Sequence, residues 1–269
     1  MASGRPAPRC IVILSDKSSG SSALQTYLVR FAGGRHVEKT RHNEHETLYW
    51  TKAASVLGLA QEKMRESEVP IPAAQARADL IALLRDNLGA EPQAGGDREL
   101  IFRGWRALCE RFAPLFVEKS PHHLHQAAAL ELLLECMDAH PDVAFLPIGL
   151  VRNPLDTLHS SWARWRSDPQ QNQHEWLRAY RNLTRLSQKL GSRLPILRYE
   201  DMVRDPERLD FVHAFAGVAR TPESRGFLRT SSIQKWRRDP AFRPVLAAPV
   251  RALARELGYR DEELDSGRG

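Results

Sequence analysis

The fold is decided close to the N-terminus, by the stretch Cys10-Ile11-Val12-Ile13-Leu14-Ser15-Asp16-Lys17-Ser18-Ser19-Gly20-Ser21-Ser22. Its residues 10–14 form a short apolar run bounded by polar residues, which is typical of a buried β-strand. Serines and a glycine follow, and residues 21–31 carry a helical pattern. A strand, a glycine-containing turn and a helix in direct succession predict an α/β fold.

The loop between this strand and this helix is predicted to bind a phosphate or sulfate group. Backbone N–H groups at the start of a helix point in one direction, and the helix dipole adds partial positive charge there. The hydroxyls of Ser19, Ser21 and Ser22 can donate to anion oxygens, and Lys17 can supply a full charge. The loop lacks the G-x-x-x-x-G-K-[ST] pattern of ATP and GTP hydrolases. A serine-rich helix cap without a ligand is the alternative explanation.

Further strands and helices alternate along the chain. Short apolar runs between turn residues predict strands at 115–117, 143–151 and 195–197, with a weaker candidate at 36–39. Apolar residues at helical spacing predict helices at 123–137, 155–165, 175–190, 206–215 and 249–257. This alternation predicts a three-layer α/β fold with a central, mostly parallel sheet flanked by helices.

Residues 59–97 interrupt the alternation. The segment is rich in proline, glycine and polar residues, and it contains an amphipathic helical pattern at 73–88. We interpret it as a helical and loop insertion over the sheet, within a single domain that spans residues 1–269.

Composition narrows the classes of function. The 269 residues are 42% hydrophobic, which is typical of a globular protein, and the formal net charge of +6 favours an anionic partner. Three cysteines without a C-x-x-C pair argue against a disulfide framework. No apolar run approaches the ~20 residues that cross a bilayer, and the run at 10–14 is too short for a secretory signal. We therefore expect a cytoplasmic protein without a membrane span.

Four motifs, in this order along the chain, resemble those of the sulfotransferases that use 3′-phosphoadenosine 5′-phosphosulfate (PAPS). They are Ser18-Ser19-Gly20-Ser21-Ser22, Val117-Glu118-Lys119-Ser120-Pro121, Leu150-Val151-Arg152-Asn153-Pro154-Leu155-Asp156 with Ser160, and Tyr199-Glu200-Asp201-Met202. The resemblance extends to bacterial-type and heparan-type enzymes. It implies a P-loop-like fold, PAPS as the co-substrate, and transfer of a sulfuryl group to a hydroxyl or amine of a small-molecule, glycan or lipid acceptor.

The resemblance also implies which residues bind the 5′-phosphosulfate of PAPS. They are Ser18, Ser19, Gly20, Ser21 and Ser22. Ser18 stands where the family usually has arginine or lysine. Lys17 is the only nearby substitute for that charge, so it is included among the binding and catalytic residues.

The 3′-phosphate is assigned by the same resemblance to Arg152 and Ser160. An arginine at the C-terminal end of a strand lies where open α/β sheets bind ligands, and its guanidinium can hold a phosphate with two hydrogen bonds. Tyr199 is expected beside the adenine. Lys235 and Arg237, in a late basic segment, are expected to reach the 3′-phosphate.

The expected chemistry is an in-line displacement with a glutamate or histidine as general base. Lys119 can direct its charge at the sulfuryl group, and Pro121 stands where cytosolic sulfotransferases carry a catalytic histidine. The candidates for the base are His42, Glu44, His45 and Glu46. The sequence does not choose among them, although the two glutamates rank first. No metal is expected, because the histidine spacings match neither H-E-x-x-H nor a zinc finger.

Two alternatives to a sulfotransferase remain open from the sequence. One is a small-molecule kinase of P-loop architecture, which would need the lysine of the Walker motif that the loop lacks. The other is a catalytically inactive module that binds a nucleotide or a polyanion, and Ser18 in place of a basic residue keeps it open. RNA binding would need aromatic platforms, but the spacing of Trp162 and Trp165 fits a packed helix, so no nucleic-acid partner is expected.

Overall fold

The computed structural model describes residues 7–90 and 93–265, and within them four strands form one parallel sheet. The strands are β1 (Arg9–Ser15), β2 (Leu115–Lys119), β3 (Ala144–Val151) and β4 (Ile196–Arg198). Their order across the sheet is β2-β1-β3-β4. The strand predictions at 10–14, 115–117, 143–151 and 195–197 are confirmed, with small shifts at their ends.

Helices cover both faces of this sheet, which confirms the three-layer α/β fold. The helices in the described residues are α1 (Ser21–Phe31), α2 (Tyr49–Val56), α3 (Ala73–Leu88), α4 (Asp97–Arg111), α5 (Ala127–Ala139), α6 (Pro154–Trp165), α7 (Pro169–Leu190), α8 (Tyr199–Arg204), α9 (Asp210–Ala216), α10 (Pro222–Arg225), α11 (Ala248–Glu256) and α12 (Asp261–Leu264). The predicted helices at 123–137 and 206–215 each begin with a 3₁₀ turn, at Pro121–His125 and Pro206–Leu209, before the α-helix starts.

The weaker strand prediction at 36–39 is wrong. The chain makes a single bridge to β2, between Arg35 and Phe116. The amide side chain of Asn87, on α3, then accepts from the backbone N–H groups of Glu38 and Lys39 and donates to the carbonyl of Lys39. These bonds take the backbone groups that a strand would need for its ladder, so the chain leaves the sheet.

The apolar core lies in two layers because alternate residues of β1 face opposite sides of the sheet. Cys10, Val12 and Leu14 pack in the layer that contains α2, α4, α5 and α7. Ile11 and Ile13 pack in the other layer, against α1, α8 and α9. The first layer is rich in aromatic residues, and Trp105 of α4 lies at its centre.

The parallel sheet brings four chain segments together at one edge. The loop 16–20 follows β1, and Lys119 is the last residue of β2. Arg152 follows β3, and Tyr199 follows β4. Because β1 lies between β2 and β3, its C-terminal loop opens into the crevice where open α/β sheets bind ligands. The fold thus explains why residues far apart in sequence share one site.

We expect the substitution Trp105→Ala to lower the free energy of unfolding by about 3–5 kcal/mol, the usual loss for a buried tryptophan. Trp105 is fully buried, and its ring centroid lies 4.9 Å from Tyr49, 4.8 Å from Trp50 and 5.4 Å from Phe116. Urea unfolding followed by circular dichroism measures the change.

The control for this prediction is Arg106→Ala at the neighbouring position. Arg106 is 43% exposed and makes only surface ion pairs with Glu110 and Asp142, so its removal should cost less than about 1 kcal/mol. Equal losses in the two variants would contradict this description of the core.

Candidate active site

A cleft of about 680 Å³ opens at the carboxyl edge of the sheet. The predicted donor-binding residues that line it are Lys17, Ser18, Gly20, Ser21, Ser22, Arg152, Ser160 and Tyr199. The predicted catalytic residues that line it are Lys17, His42, Glu44, Glu46 and Lys119. The structure therefore brings most of the sequence-predicted site residues into one cavity.

Four predicted site residues do not line this cleft. Ser19 is buried, and its hydroxyl is hydrogen-bonded to that of Tyr180 at 2.8 Å. The ring of His45 stacks on that of His36, with the centroids 3.8 Å apart. Lys235 and Arg237 also lie outside the lining, and the guanidinium of Arg237 donates to the carbonyl of Glu262. Their expected contact with a 3′-phosphate therefore has no support in this arrangement.

The loop 16–20 is shaped to leave the start of α1 open. Ser18 and Gly20 have left-handed backbone angles, with φ of 59° and 89°. Among the described residues no side chain caps α1, so its first N–H groups remain available beside the hydroxyls of Ser21 and Ser22. A Cβ atom on Gly20 would lie 2.3 Å from the ring of Tyr199, so only glycine fits there. This is the geometry of an anion site.

Arg152 joins this loop to the C-terminal half of the chain. Its guanidinium donates to the carbonyls of Ser18 and Ser232, each at 2.7 Å, and lies 4.8 Å from the ring centroid of Tyr199. The residue is 6% exposed, and its buried Nε has no hydrogen-bond partner among the described residues. An unpartnered donor on a buried cation is costly unless a ligand accepts from it.

The helix that follows Arg152 starts where the sequence predicts. Pro154 occupies the first position of α6, and the side chain of Asn153 accepts from the N–H group of Leu155. Ser160 lies on α6, and Arg164 follows it by four residues, which places both on one face of the helix. Arg164 also lines the cleft, and this spacing could have identified it from the sequence.

Lys17 has partners of its own. Its ammonium donates to the carbonyl of Arg65 at 2.6 Å and lies 3.9 Å from a carboxylate oxygen of Glu175. Lys17 therefore contacts the segment before α3, through Arg65, and α7, through Glu175. Lys17 lines the cleft, but in this arrangement its ammonium contacts neither Ser22 nor Lys119.

Lys119 is the cation at the centre of the cleft. Its side chain is 1% exposed, and its ammonium donates to the hydroxyl of Ser22 at 3.1 Å, to Glu44 at 3.2 Å and to Glu46 at 3.1 Å. Burial of a charge is tolerated only with such partners. The ammonium therefore links the start of α1 to the two carboxylates that the sequence marked as candidate bases.

Glu44 is held as a carboxylate. The hydrogen bond from the hydroxyl of Ser22 lowers its pKa to about 2, and Lys119 and Arg164 act in the same direction while partial burial opposes them. Glu44 and His45 have left-handed φ angles of 56° and 61°. That conformation costs about 1–2 kcal/mol for each residue that is not glycine. The contacts of the carboxylate compensate for this strain.

Glu46 has a different environment from Glu44. Burial raises its pKa, while the charge of Lys119 acts in the opposite direction. Only one of its oxygens accepts from Lys119, and the other lies 3.7 Å from Nδ1 of His122. His122 was not among the predicted site residues because it is out of register with the family motif. Burial holds its pKa well below the usual value, so its ring is neutral.

His42 lies beside a buried lysine. Its Nε2 is 2.9 Å from the ammonium of Lys52, which is 2% exposed, and 3.5 Å from Oε1 of Glu68. Burial, with the charge of Lys52 and Arg41 next, lowers the pKa of His42 to about 4. Burial also lowers the pKa of Lys52, to about 8. His42 is therefore a weaker base near neutral pH than an unperturbed histidine.

The chain after Glu46 is fixed to the end of β2. The buried carboxylate of Glu118 accepts from the hydroxyls of Thr47 and Ser120, at 2.8 and 2.5 Å. The hydroxyl of Ser120 in turn accepts from the N–H groups of Thr47 and Leu48, at 3.1 and 3.0 Å. These bonds position Glu46 against Lys119, and they give Glu118 and Ser120 a structural role in the family motif.

In residues 7–90 and 93–265, no group of three or more His, Cys, Asp or Glu side chains is arranged to hold a metal ion. None of the helices in the same part of the chain is long and apolar enough to cross a membrane.

Two solved structures share the fold. The sulfotransferase domain from the Synechococcus PCC 7002 olefin synthase has a TM-score of 0.57 at 19% identity, with 96% of this chain and 97% of that chain covered. The sulfotransferase domain from the curacin biosynthetic pathway has a TM-score of 0.58 at 20% identity, with 96% and 99% covered. The P-loop-like fold expected from the sequence motifs is thereby confirmed.

Sequence comparison identifies the family. Comparison with curated protein sequences gives no significant match. The model of the sulfotransferase family matches residues 8–219, which is well over half of the chain and contains the loop 16–20, Lys119 and Arg152. The chain therefore belongs to the sulfotransferase family.

Proposed function

We propose that this chain transfers the sulfuryl group of PAPS to a hydroxyl or amine of a small-molecule, glycan or lipid acceptor. One observation carries the proposal: the open start of α1, the ammonium of Lys119 and the partly unpartnered guanidinium of Arg152 face one cleft. These groups can bind two separate anionic groups, as a donor with a phosphosulfate and a second phosphate requires.

The residues of the cleft fit this donor. The N–H groups and hydroxyls of Ser21 and Ser22 bind the phosphosulfate, while Arg152 and Ser160 bind the 3′-phosphate. Tyr199 lies beside the adenine. When bound, the donor supplies the sulfuryl group and a phosphate leaving group. The buried Nε of Arg152 supports this fit, because a phosphate oxygen would give it the missing acceptor.

Lys119 stabilises the charge that develops during transfer. Its ammonium is held at the cleft by Ser22 and two carboxylates, so a full positive charge lies beside the position where negative charge develops. Lys17 adds positive charge at the other side of the loop, where the family usually has a basic residue at the position of Ser18.

Glu46 is the general base. A base near neutral pH needs a raised pKa and a free lone pair, and Glu46 has both. The other candidates are weaker on physical grounds: Glu44 is held as a weakly basic carboxylate, burial lowers the pKa of His42 to about 4, and His45 lies outside the cleft lining. Neutral His122, 3.7 Å from Glu46, orients the acceptor or the carboxylate.

The first test is the binding of 3′-phosphoadenosine 5′-phosphate, the desulfated product, measured by calorimetry. We expect Arg152→Ala to weaken this binding by at least about 1.5–3 kcal/mol, because a charged hydrogen-bond site is lost. The control is Arg204→Ala, which removes an exposed arginine at the end of α8. No nucleotide binding by the folded wild type, with binding of ATP–Mg²⁺ instead, would favour a kinase.

The second test concerns Glu46. In Glu46→Gln we expect kcat to fall about 10²–10⁴-fold, because the general base is lost, with little change in nucleotide affinity. Acceptors found by screening with labelled PAPS provide the assay, and Glu62→Gln, an exposed carboxylate outside the lining, is the control.

The pH profile separates the base from a structural carboxylate. Burial raises the pKa of Glu46 above its usual 4.5, so the carboxylate is protonated, and inactive as a base, already at pH values above 4.5. As the pH is lowered, wild-type kcat should therefore begin to fall above pH 4.5. Glu46→Gln should lack this acid limb. An unchanged limb in the variant would show that another group accepts the proton.

A further inference from the structure

The carboxylate of Glu44 already accepts hydrogen bonds from two of the groups proposed above to act on the donor. Its Oε2 accepts from the hydroxyl of Ser22 and from Lys119, the latter at 3.2 Å, and its Oε1 accepts from Arg164 at 3.1 Å. Ser22, Lys119 and Arg164 belong to α1, β2 and α6, so the bonds come from three sides of the cleft. Ser22 and Lys119 are the groups proposed above to bind the phosphosulfate and its transferred group.

These donors cannot serve a second anion at the same time. A serine hydroxyl has one hydrogen, and that of Ser22 is donated to Glu44. An ammonium has three hydrogens, and those of Lys119 are directed at Ser22, Glu44 and Glu46. A sulfuryl oxygen can bind either group only after one of these bonds has broken.

Glu44 is the partner that can leave. Glu46 is held next to Lys119 because Thr47 and Leu48 are fixed to Ser120 at the end of β2. Glu44 lies at the mouth of the cleft, is 38% exposed, and its third partner Arg164 is 59% exposed. Its left-handed φ of 56° is unfavourable for a residue other than glycine, so the backbone does not favour this position of Glu44.

We propose that Glu44 is a specificity-determining residue that occupies the sulfuryl position of the donor site and sets the ratio of the affinities for PAPS and for its desulfated product. PAPS must displace the carboxylate from Ser22 and Lys119, whereas the product lacks the sulfuryl group and binds with Glu44 in place. This inference rests on the proposed function.

The charge state of Glu44 supports this competition. Donation from Ser22 keeps its pKa at about 2, so the carboxylate is an anion over the whole range in which an enzyme of this kind is assayed. The groups that face the Glu44 carboxylate are Ser22, Lys119 and Arg164. Glu46 lies on the other side of Lys119 and accepts a hydrogen bond from the same ammonium. The competition therefore does not depend on protonation of Glu44.

The test compares Glu44→Gln with Glu66→Gln and measures the Kd of each nucleotide by calorimetry without acceptor. Glu66 lines the same cleft, but its carboxylate accepts from Ser167 and touches neither Ser22 nor Lys119. Both variants lose one negative charge in the cleft, so a purely long-range effect appears in both. Glu44→Ala, which also removes the hydrogen-bonding group, is a second variant at the same position.

We expect Glu44→Gln and Glu44→Ala to raise the ratio of the Kd of the product to the Kd of PAPS by about tenfold, the size of one charged hydrogen bond. Glu66→Gln should leave this ratio unchanged. A ratio that is unchanged or lower in the Glu44 variants, with both nucleotides still bound, overturns the inference alone. Failure of the folded wild type to bind either nucleotide overturns the proposed function and this inference with it.

Discussion

The buried ammonium of Lys119 is the interaction on which the rest of the site depends. A cation that is 1% exposed must be surrounded by acceptors, and its three hydrogens are directed at Ser22, Glu44 and Glu46. This requirement holds the start of α1, the end of β2 and the segment before α2 in one arrangement. The pKa values of the two carboxylates are nevertheless shifted in opposite directions. Further hydrogen-bond donors lower the pKa of Glu44, whereas burial raises the pKa of Glu46.

The parallel sheet makes this arrangement possible. All four strands end at one edge, so the loop after β1, Lys119, Arg152 and Tyr199 meet although they are far apart in sequence. Packing then restricts the loop further: the ring of Tyr199 lies where a Cβ on Gly20 would be, and Arg152 holds the carbonyl of Ser18. The loop is thus shaped by contacts from β3 and β4 as well as by its own residues.

The sequence predicted what depends on local patterns. The bounds of α1 and α3, the four strands and the cleft-lining residues of the motifs all follow from periodicity or motif spacing. It failed where a tertiary contact decides: Asn87 takes the backbone bonds that a strand at 36–39 would need. The sequence also left His42, Glu44, His45 and Glu46 equivalent, because only Lys52, Lys119 and burial distinguish them.

Sulfuryl transfer by this chain should depend on Lys119. The most direct measurement is the transfer of radiolabelled sulfur from PAPS to a panel of acceptors, by wild type and by Lys119→Met, with the fold of the variant verified by circular dichroism. This account predicts labelled product with the wild type and a loss of at least about 10²-fold in the variant, the size of a lost electrostatic stabiliser. Equal transfer by the two proteins, or no transfer by a wild type that binds the nucleotide, would contradict it.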